Sequence, residues 1–410
     1  MSSLPAPDSS PTSGAAGALA GVRVLDLTHY LAGPYATKLM AGYGAEVIKV
    51  ERPGSGDPSR AIGPFVTPHP DPETSIPFLY LNTGKLGVTL DLKRAEGREI
   101  FTALVRQADV LVESFAPRVM PGLGFSYETL RAVNPRLVMT SISNFGQSGP
   151  YRDYRAAEIV EYALSGLMAL TGDPARAPLA SGPAMTQATA GMCAYVGTLT
   201  ALFQRGRTGE GRHVDVSIHE AAVDNVEIAF AEYLHAGTVA KRKDDHHALV
   251  PWELYPCRDG YAALIGGPVR HWLPANDLFG EPLLAERYPH MADRLAHRPE
   301  VEALLRPWAL RKDKKEIYHA GQGRKLAFGY LATLDDVVES PQHAAREFFE
   351  PIDHPVAGQQ RYCGAPFHPA RTPWRSDRAP LLGEHNARVF GDLLGYSAAR
   401  VGELRASGVL

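Results

Sequence analysis

Val22-Arg-Val-Leu-Asp-Leu27, a loop closing in Gly33-Pro34, a helical stretch from Pro34 to Ala41, and Glu46-Val-Ile-Lys-Val50 form the stretch that decides the fold. The two apolar runs read as strands. Proline stands at the first helical position, where its missing N–H costs nothing, and Gly42 and Gly44 end the helix. The strand-to-strand spacing is that of a βαβ unit. A second unit follows in Val88-Thr-Leu-Asp-Leu92, a helix over 95–107 and Asp109-Val-Leu-Val-Glu113. A third ends in Leu137-Val-Met-Thr-Ser-Ile-Ser143. Strands alternating with helices predict an α/β fold with a parallel sheet covered on both faces.

Farther along, 158–170 and 185–204 are apolar at helical spacing and dense in small residues, and His213-Val-Asp-Val-Ser-Ile218 is a strand. Beyond residue 225 the texture changes. Lys241-Arg-Lys-Asp-Asp-His-His247 reads as an exposed loop, Tyr261-Ala-Ala-Leu-Ile265 as a short strand, and 270–335 as amphipathic helix. From 350 the chain returns to Pro- and Gly-rich loops and ends in a helix near 384–395. The organisation predicted is a disordered tail over 1–18, a large α/β domain over 19–225, a smaller α+β domain over 226–335, and a C-terminal return over 336–410.

Composition excludes several classes. Lys and Arg number 42 against 45 Asp and Glu, a net charge of −3, which supplies no broad field for nucleic acid or anionic lipid. No apolar run approaches the ~18 residues of a membrane span, and no basic residues precede an apolar core at the N-terminus. Cys193, Cys257 and Cys363 are far apart and odd in number, so neither a disulfide framework nor a zinc site is favoured and a reducing cytoplasm fits. The chain has no dinucleotide fingerprint, no phosphate-binding G-x-x-x-x-G-K-[ST] and no G-x-S-x-G nucleophile turn. Arg52-Pro-Gly-Ser-Gly-Asp57 lies at the C-terminal end of a strand, where α/β sheets bind ligands. It reads either as a plain turn or as an anion site built from an Arg beside free backbone amides.

Longer ordered segments carry a resemblance. Val24-Leu-Asp-Leu-Thr-His-Tyr-Leu-Ala-Gly-Pro34 and Gly44-Ala-Glu-Val-Ile-Lys-Val-Glu-Arg-Pro-Gly-Ser-Gly-Asp57 are similar to the opening of class III CoA-transferases, the CaiB/BaiF family that includes formyl-CoA transferase. The similarity continues through Asn82-Thr-Gly-Lys85, Asn134-Pro-Arg136, Ser143-Asn-Phe-Gly-Gln-Ser-Gly-Pro-Tyr151, Arg207-Thr-Gly-Glu-Gly-Arg-His213 and Ala379-Pro-Leu-Leu-Gly-Glu-His385. The resemblance implies a Rossmann-like large domain, a smaller α+β domain and two chains threaded into an interlocked dimer. It implies a CoA thioester as substrate and no tightly bound cofactor or metal. By position it assigns CoA contacts to His29, Tyr30, Leu31, Arg52, Leu90, Lys93, Ser114, Phe115, Arg118 and Arg155.

The resemblance also exposes departures. Family transferases use an Asp that attacks the thioester to give a mixed anhydride and then an enzyme-bound CoA thioester, which needs an ionised carboxylate. In Pro183-Ala-Met-Thr-Gln-Ala-Thr-Ala-Gly-Met192 that position is Gln187, and an amide is no nucleophile. The histidine of related racemases corresponds to Ala157. Glu158 remains as an acidic neighbour, either a nucleophile or a carboxylate that pairs with Arg155 or caps its helix. An expected Arg is replaced by Gly122, while Arg118 stands four positions earlier.

Such a chain resembles the Asp-less subunit of a heteromeric succinyl-CoA:(R)-benzylsuccinate CoA-transferase of anaerobic toluene degradation, whose homologous partner carries the Asp. Three alternatives stay open: a one-subunit transferase using Glu158, another acyl-CoA enzyme in which Gln187 polarises the thioester carbonyl, and a non-catalytic CoA-binding protein.

Overall fold

The computed structural model describes residues 16–182, 184–242, 249–266, 272–280 and 284–410. Most of the predicted tail and the centre of the 241–247 loop lie outside these residues.

Six parallel strands form the main sheet: β1 (Arg23–Leu27), β2 (Glu46–Glu51), β3 (Leu86–Thr89), β4 (Val110–Glu113), β5 (Val138–Ser143) and β6 (His213–Ser217). Their order is β3-β2-β1-β4-β5-β6. This is the doubly wound order whose connections reverse between β1 and β4, opening a crevice at the carboxyl ends of those strands. Between them run α1 (Ala32–Gly42), α2 (Ile76–Leu81), α3 (Ala95–Val105), α4 (Val119–Gly122), α5 (Tyr127–Val133), α6 (Glu158–Leu164), α7 (Leu167–Leu170) and α8 (Met185–Thr208). After β6 come α9 (Ile218–Asp224) and α10 (Glu227–Ala236).

Strand side chains alternate between two cores, as a pleated strand requires. Leu25, Ile48, Leu111 and Met139 join Phe101 and Leu104 of α3 and Phe390 and Leu404 of the C-terminal helices Asn386–Leu394 and Ala398–Ala406. Val24, Val47, Val110 and Val138 join Leu39 and Met40 of α1 and Ala190, Ala194 and Tyr195 of α8. Both faces are therefore covered, which explains apolar runs such as Val110–Val112 and Val47–Ile48 that fill both faces of a strand.

Several boundaries differ from the sequence reading for local reasons. The third strand ends at Thr89 because the Asp91 carboxylate accepts from Lys93 N at 3.0 Å, a side-chain turn that leads the chain out of the sheet. The helical stretch 158–170 is interrupted at Gly166, which has φ +88°, a backbone that favours glycine. Residues 349–363 were expected as loop and form an antiparallel hairpin, Phe349–His354 with Gly358–Cys363.

By internal contacts the described residues divide into two compact units, one of those within 16–170, 179–240 and 346–410, the other of those within 171–178 and 241–345. The second holds a three-stranded antiparallel sheet of Trp252–Cys257, Gly260–Ile265 and Gly329–Tyr330. Its core includes Tyr255, Leu264, Leu305, Trp308 and Ile317. Among the described residues no helix is long and apolar enough to cross a membrane.

Candidate active site

The crevice between β1 and β4 gathers half of the expected CoA contacts. The loop after β1 carries His29, Tyr30 and Leu31, and the loop after β4 carries Ser114 and Phe115. His29 N donates to Ser114 Oγ at 2.8 Å, and the His29 ring meets the Phe115 ring edge-on at 5.0 Å between centroids. Tyr30 is exposed at a left-handed φ of 63°. Its N–H reaches Asp57 Oδ1 at 3.3 Å, which joins the first loop to the one after β2. Arg52 begins that second loop, directly after the last residue of β2, and is exposed; its charge helps to lower His29.

Beneath the crevice lies a buried charge network. Lys85 Nζ pairs with Asp26 at 2.9 Å and Lys49 Nζ with Asp57 at 2.8 Å, all four side chains essentially inaccessible. Burial raises Asp26, but Lys85 and Lys49 outweigh it and hold its carboxyl well below the usual carboxylate range. Burial brings Lys85 down to about 8 despite Asp26, and it lowers His29 against the opposing pull of Asp57. The crevice floor is thus held by paired charges whose loss would leave a partner buried and unpaired.

The other expected contacts are scattered. Lys93 and Arg155 are exposed, and Leu90 is 2% exposed within the core. Arg118 pairs at the surface with Asp153 at 2.8 Å.

Gln187 lies in the first turn of α8, which packs on α1. The close approach depends on Gly191: a Cβ there would sit 2.6 Å from Ala32 O. Ala184 precedes the helix at a left-handed φ of 46° and provides no side-chain cap. Glu158 takes over that task from the start of α6. Its carboxylate accepts from Thr186 N at 2.9 Å, Gln187 N at 3.2 Å and Thr186 Oγ1 at 2.5 Å. Of the alternatives read from the sequence, Glu158 is a cap, but of α8 rather than of its own helix. An apolar cleft of about 560 Å³ opens beside it, lined in part by Ala157, Ile159, Tyr162 and Ala184.

A second carboxylate, missed by the sequence reading, completes the cluster. Glu161 follows Glu158 by three residues, so both face the start of α8. Gln187 Nε2 donates to Glu161 Oε2 at 3.0 Å, and Thr186 Oγ1 lies 3.4 Å from the same oxygen. Asn144, with its amide turned so that both ends are satisfied, donates to Glu161 Oε1 at 3.0 Å and accepts from Ala156 N at 2.8 Å. Burial pushes the Glu161 carboxyl up to about 7; the Gln187 hydrogen bond opposes this and the Glu158 charge adds to it. Gln187 therefore sits amid two carboxylates that are both engaged in hydrogen bonds.

The chain as a whole is similar to known proteins. The sequence profile of CoA-transferase family III matches residues 19–386. The chain belongs to that family. It is 34% identical to the formyl-CoA:oxalate CoA-transferase of Streptomyces avermitilis, over 96% of this chain and 99% of the relative. It is also 34% identical to the succinyl-CoA:mesaconate CoA-transferase of Haloarcula hispanica, over 92% and 96%. A crystal structure of a CaiB/BaiF family protein from Brucella suis superposes with a TM-score of 0.83 at 30% identity, covering 92% of this chain and 100% of the other. The crystal structure of Rv3272 from Mycobacterium tuberculosis matches with a TM-score of 0.80 at 28% identity, over 91% and 99%. This class III CoA-transferase accordingly acts on CoA thioesters, with a carboxylic acid as the other substrate.

Proposed function

We propose that this chain is the non-nucleophile subunit of a heteromeric CoA-transferase, with a homologous subunit supplying the attacking Asp. The observation that carries the reading is the state of the site around residue 187. An amide stands there, Glu158 is committed to capping α8 through three hydrogen bonds, and Glu161 is buried beneath the amide. A free carboxylate able to attack a thioester is lacking among these three side chains. A nucleophile has to come from elsewhere for family chemistry to run.

The surface supports a protein partner. Met185, Met192, Val196 and Phe203 form an exposed stripe along α8, and Ile228, Phe230, Tyr233 and Leu234 expose a second apolar group on α10. Phe203 is 72% and Leu234 73% exposed, in a fold that has ample core to bury them. Contiguous apolar surface of this kind marks a protein interface, in keeping with an interlocked pair of related chains.

For the substrates, the two named relatives use formyl-CoA or succinyl-CoA and the dicarboxylates oxalate or mesaconate. A dicarboxylate acceptor with succinyl-CoA as donor fits this pattern, and (R)-benzylsuccinate belongs to that chemical class. CoA in this chain would lie along the β1–β4 crevice, with His29, Tyr30, Ser114 and Phe115 beside it and Arg52 toward its phosphates.

The test is affinity capture of the tagged chain from its own host, with native mass spectrometry and transferase assays on succinyl-CoA with each dicarboxylate. The expected result is a second family chain bearing the Asp, with activity abolished when that Asp becomes Asn. A captured homodimer that transfers CoA unaided would overturn the reading.

A further inference from the structure

Glu161 belongs to no expectation drawn from the sequence, yet Gln187 is built around it. Its side chain is 0% exposed, and the groups that converge on it from other elements are neutral: the amides of Gln187 and Asn144 and the hydroxyl of Thr186. Glu158, on the same helix, is the charged group beside it.

A primary amide offers a donor at one end and an acceptor at the other. A carboxylate below it decides between them. With Nε2 donating to Glu161 Oε2, the end of the Gln187 amide that meets Glu161 is the donor. A carboxylate at residue 187, which is half-buried, would instead bring a second acid to hydrogen-bond range of the fully buried Glu161. Two such groups share one proton over a wide pH range, one being held neutral well above its ordinary range, and ionise together only at a cost in stability. A neutral acid does not attack a thioester.

We propose that Glu161 is the positioning residue of this site: it holds the Gln187 amide by its Nε2 and thereby bars a working carboxylate from position 187. The inference rests on the reading that residue 187 stands at the family's nucleophile position. The missing Asp is then one half of a matched exchange. The amide occupies the outer place, the acid lies directly behind it, and a single substitution at 187 does not restore the family chemistry.

The test is a charge-swap cycle read by unfolding midpoint, which needs neither the partner chain nor turnover. Four proteins are compared at about pH 5.5 and about pH 8, on either side of the range where paired carboxylates lose their last proton: wild type, Q187E, E161Q and E161Q/Q187E. Q187E keeps the shape and replaces the amide by an acid. It is expected to match wild type at the lower pH, where the two acids share a proton, and to fall below it at the higher pH by more than ~2 °C. The double variant restores one acid and one amide with their places exchanged, and is expected to recover the loss at the higher pH.

A purely steric role for Glu161 would give no pH dependence and no rescue. The proposal is overturned if Q187E melts with wild type at the higher pH, or if the double variant is no more stable there than Q187E. Neither result bears on whether a partner subunit exists, so a failure here is separable from a failure of the heteromer reading.

Discussion

Residue 161 carries a consequence for stability that can be measured directly. Its carboxyl is raised from an ordinary 4.5 to about 7, mainly by burial. Between those values the folded chain holds a proton that the unfolded chain has released. Stability from this group is therefore complete below about pH 4.5 and is lost as pH rises through about 7. The E161Q variant, always neutral, should lack this decline. Denaturant titrations from about pH 5 to about pH 8 should show wild type losing on the order of 2–3 kcal/mol relative to E161Q. Glu113, likewise pushed up to about 7 by burial, leaves a similar slope in both proteins and so cancels from the comparison. A wild type and variant with parallel pH profiles would show that Glu161 is ionised throughout.

At the scale of elements, α8 depends on a cap that it does not encode. Its own N-cap residue is an alanine, and the three hydrogen bonds at its first turn come from Glu158, 28 residues earlier at the Thr186 contacts. Sequence-local rules look for Ser, Thr, Asp or Asn just before a helix, so this start carried no readable cap. Substituting E158A should cost about 1–2 kcal/mol, the scale of a lost N-cap. It should also speed hydrogen exchange at the Thr186 and Gln187 amides while leaving β1 protected. A uniform change across both elements would instead mean general destabilisation. The same helix explains the glycine in Gln187-Ala-Thr-Ala-Gly191: without a side chain at 191, α8 lies against the Ala32 carbonyl and Gln187 is brought toward the end of α1 that adjoins the crevice.

At the scale of the whole molecule, the parallel sheet was legible because strands buried on both faces are mostly apolar, as Val110–Val112 is throughout and Val22–Leu27 is apart from Arg23 and Asp26. The hairpin over 349–363 was not. Glu350, Pro351 and Asp353 in one strand and Gln359, Gln360 and Arg361 in the other leave Ile352 and Tyr362 as its buried apolar side chains, too few to show an alternation. Of the site, the β1 and β4 loops could be placed, since their residues are contiguous in sequence and end on strands. Glu161 could not be singled out, because its partners at 144 and 187 are brought to it by tertiary packing. The helical spacing of Glu158 and Glu161 was the one available sign that two acids share a face.

The exposed stripe on α8 has a practical consequence for anyone producing the protein. Met185, Met192, Val196 and Phe203 recur along one side of the same helix whose opposite side builds the core, so this surface cannot be hidden by local rearrangement without unfolding the domain. A chain made in excess of whatever covers it should self-associate through that stripe. Its elution volume and melting temperature should then vary with concentration, and F203K should reduce that dependence at little cost to the fold. Solubility in this protein is a property of its company, and yield should rise on co-expression rather than on cooling or dilution.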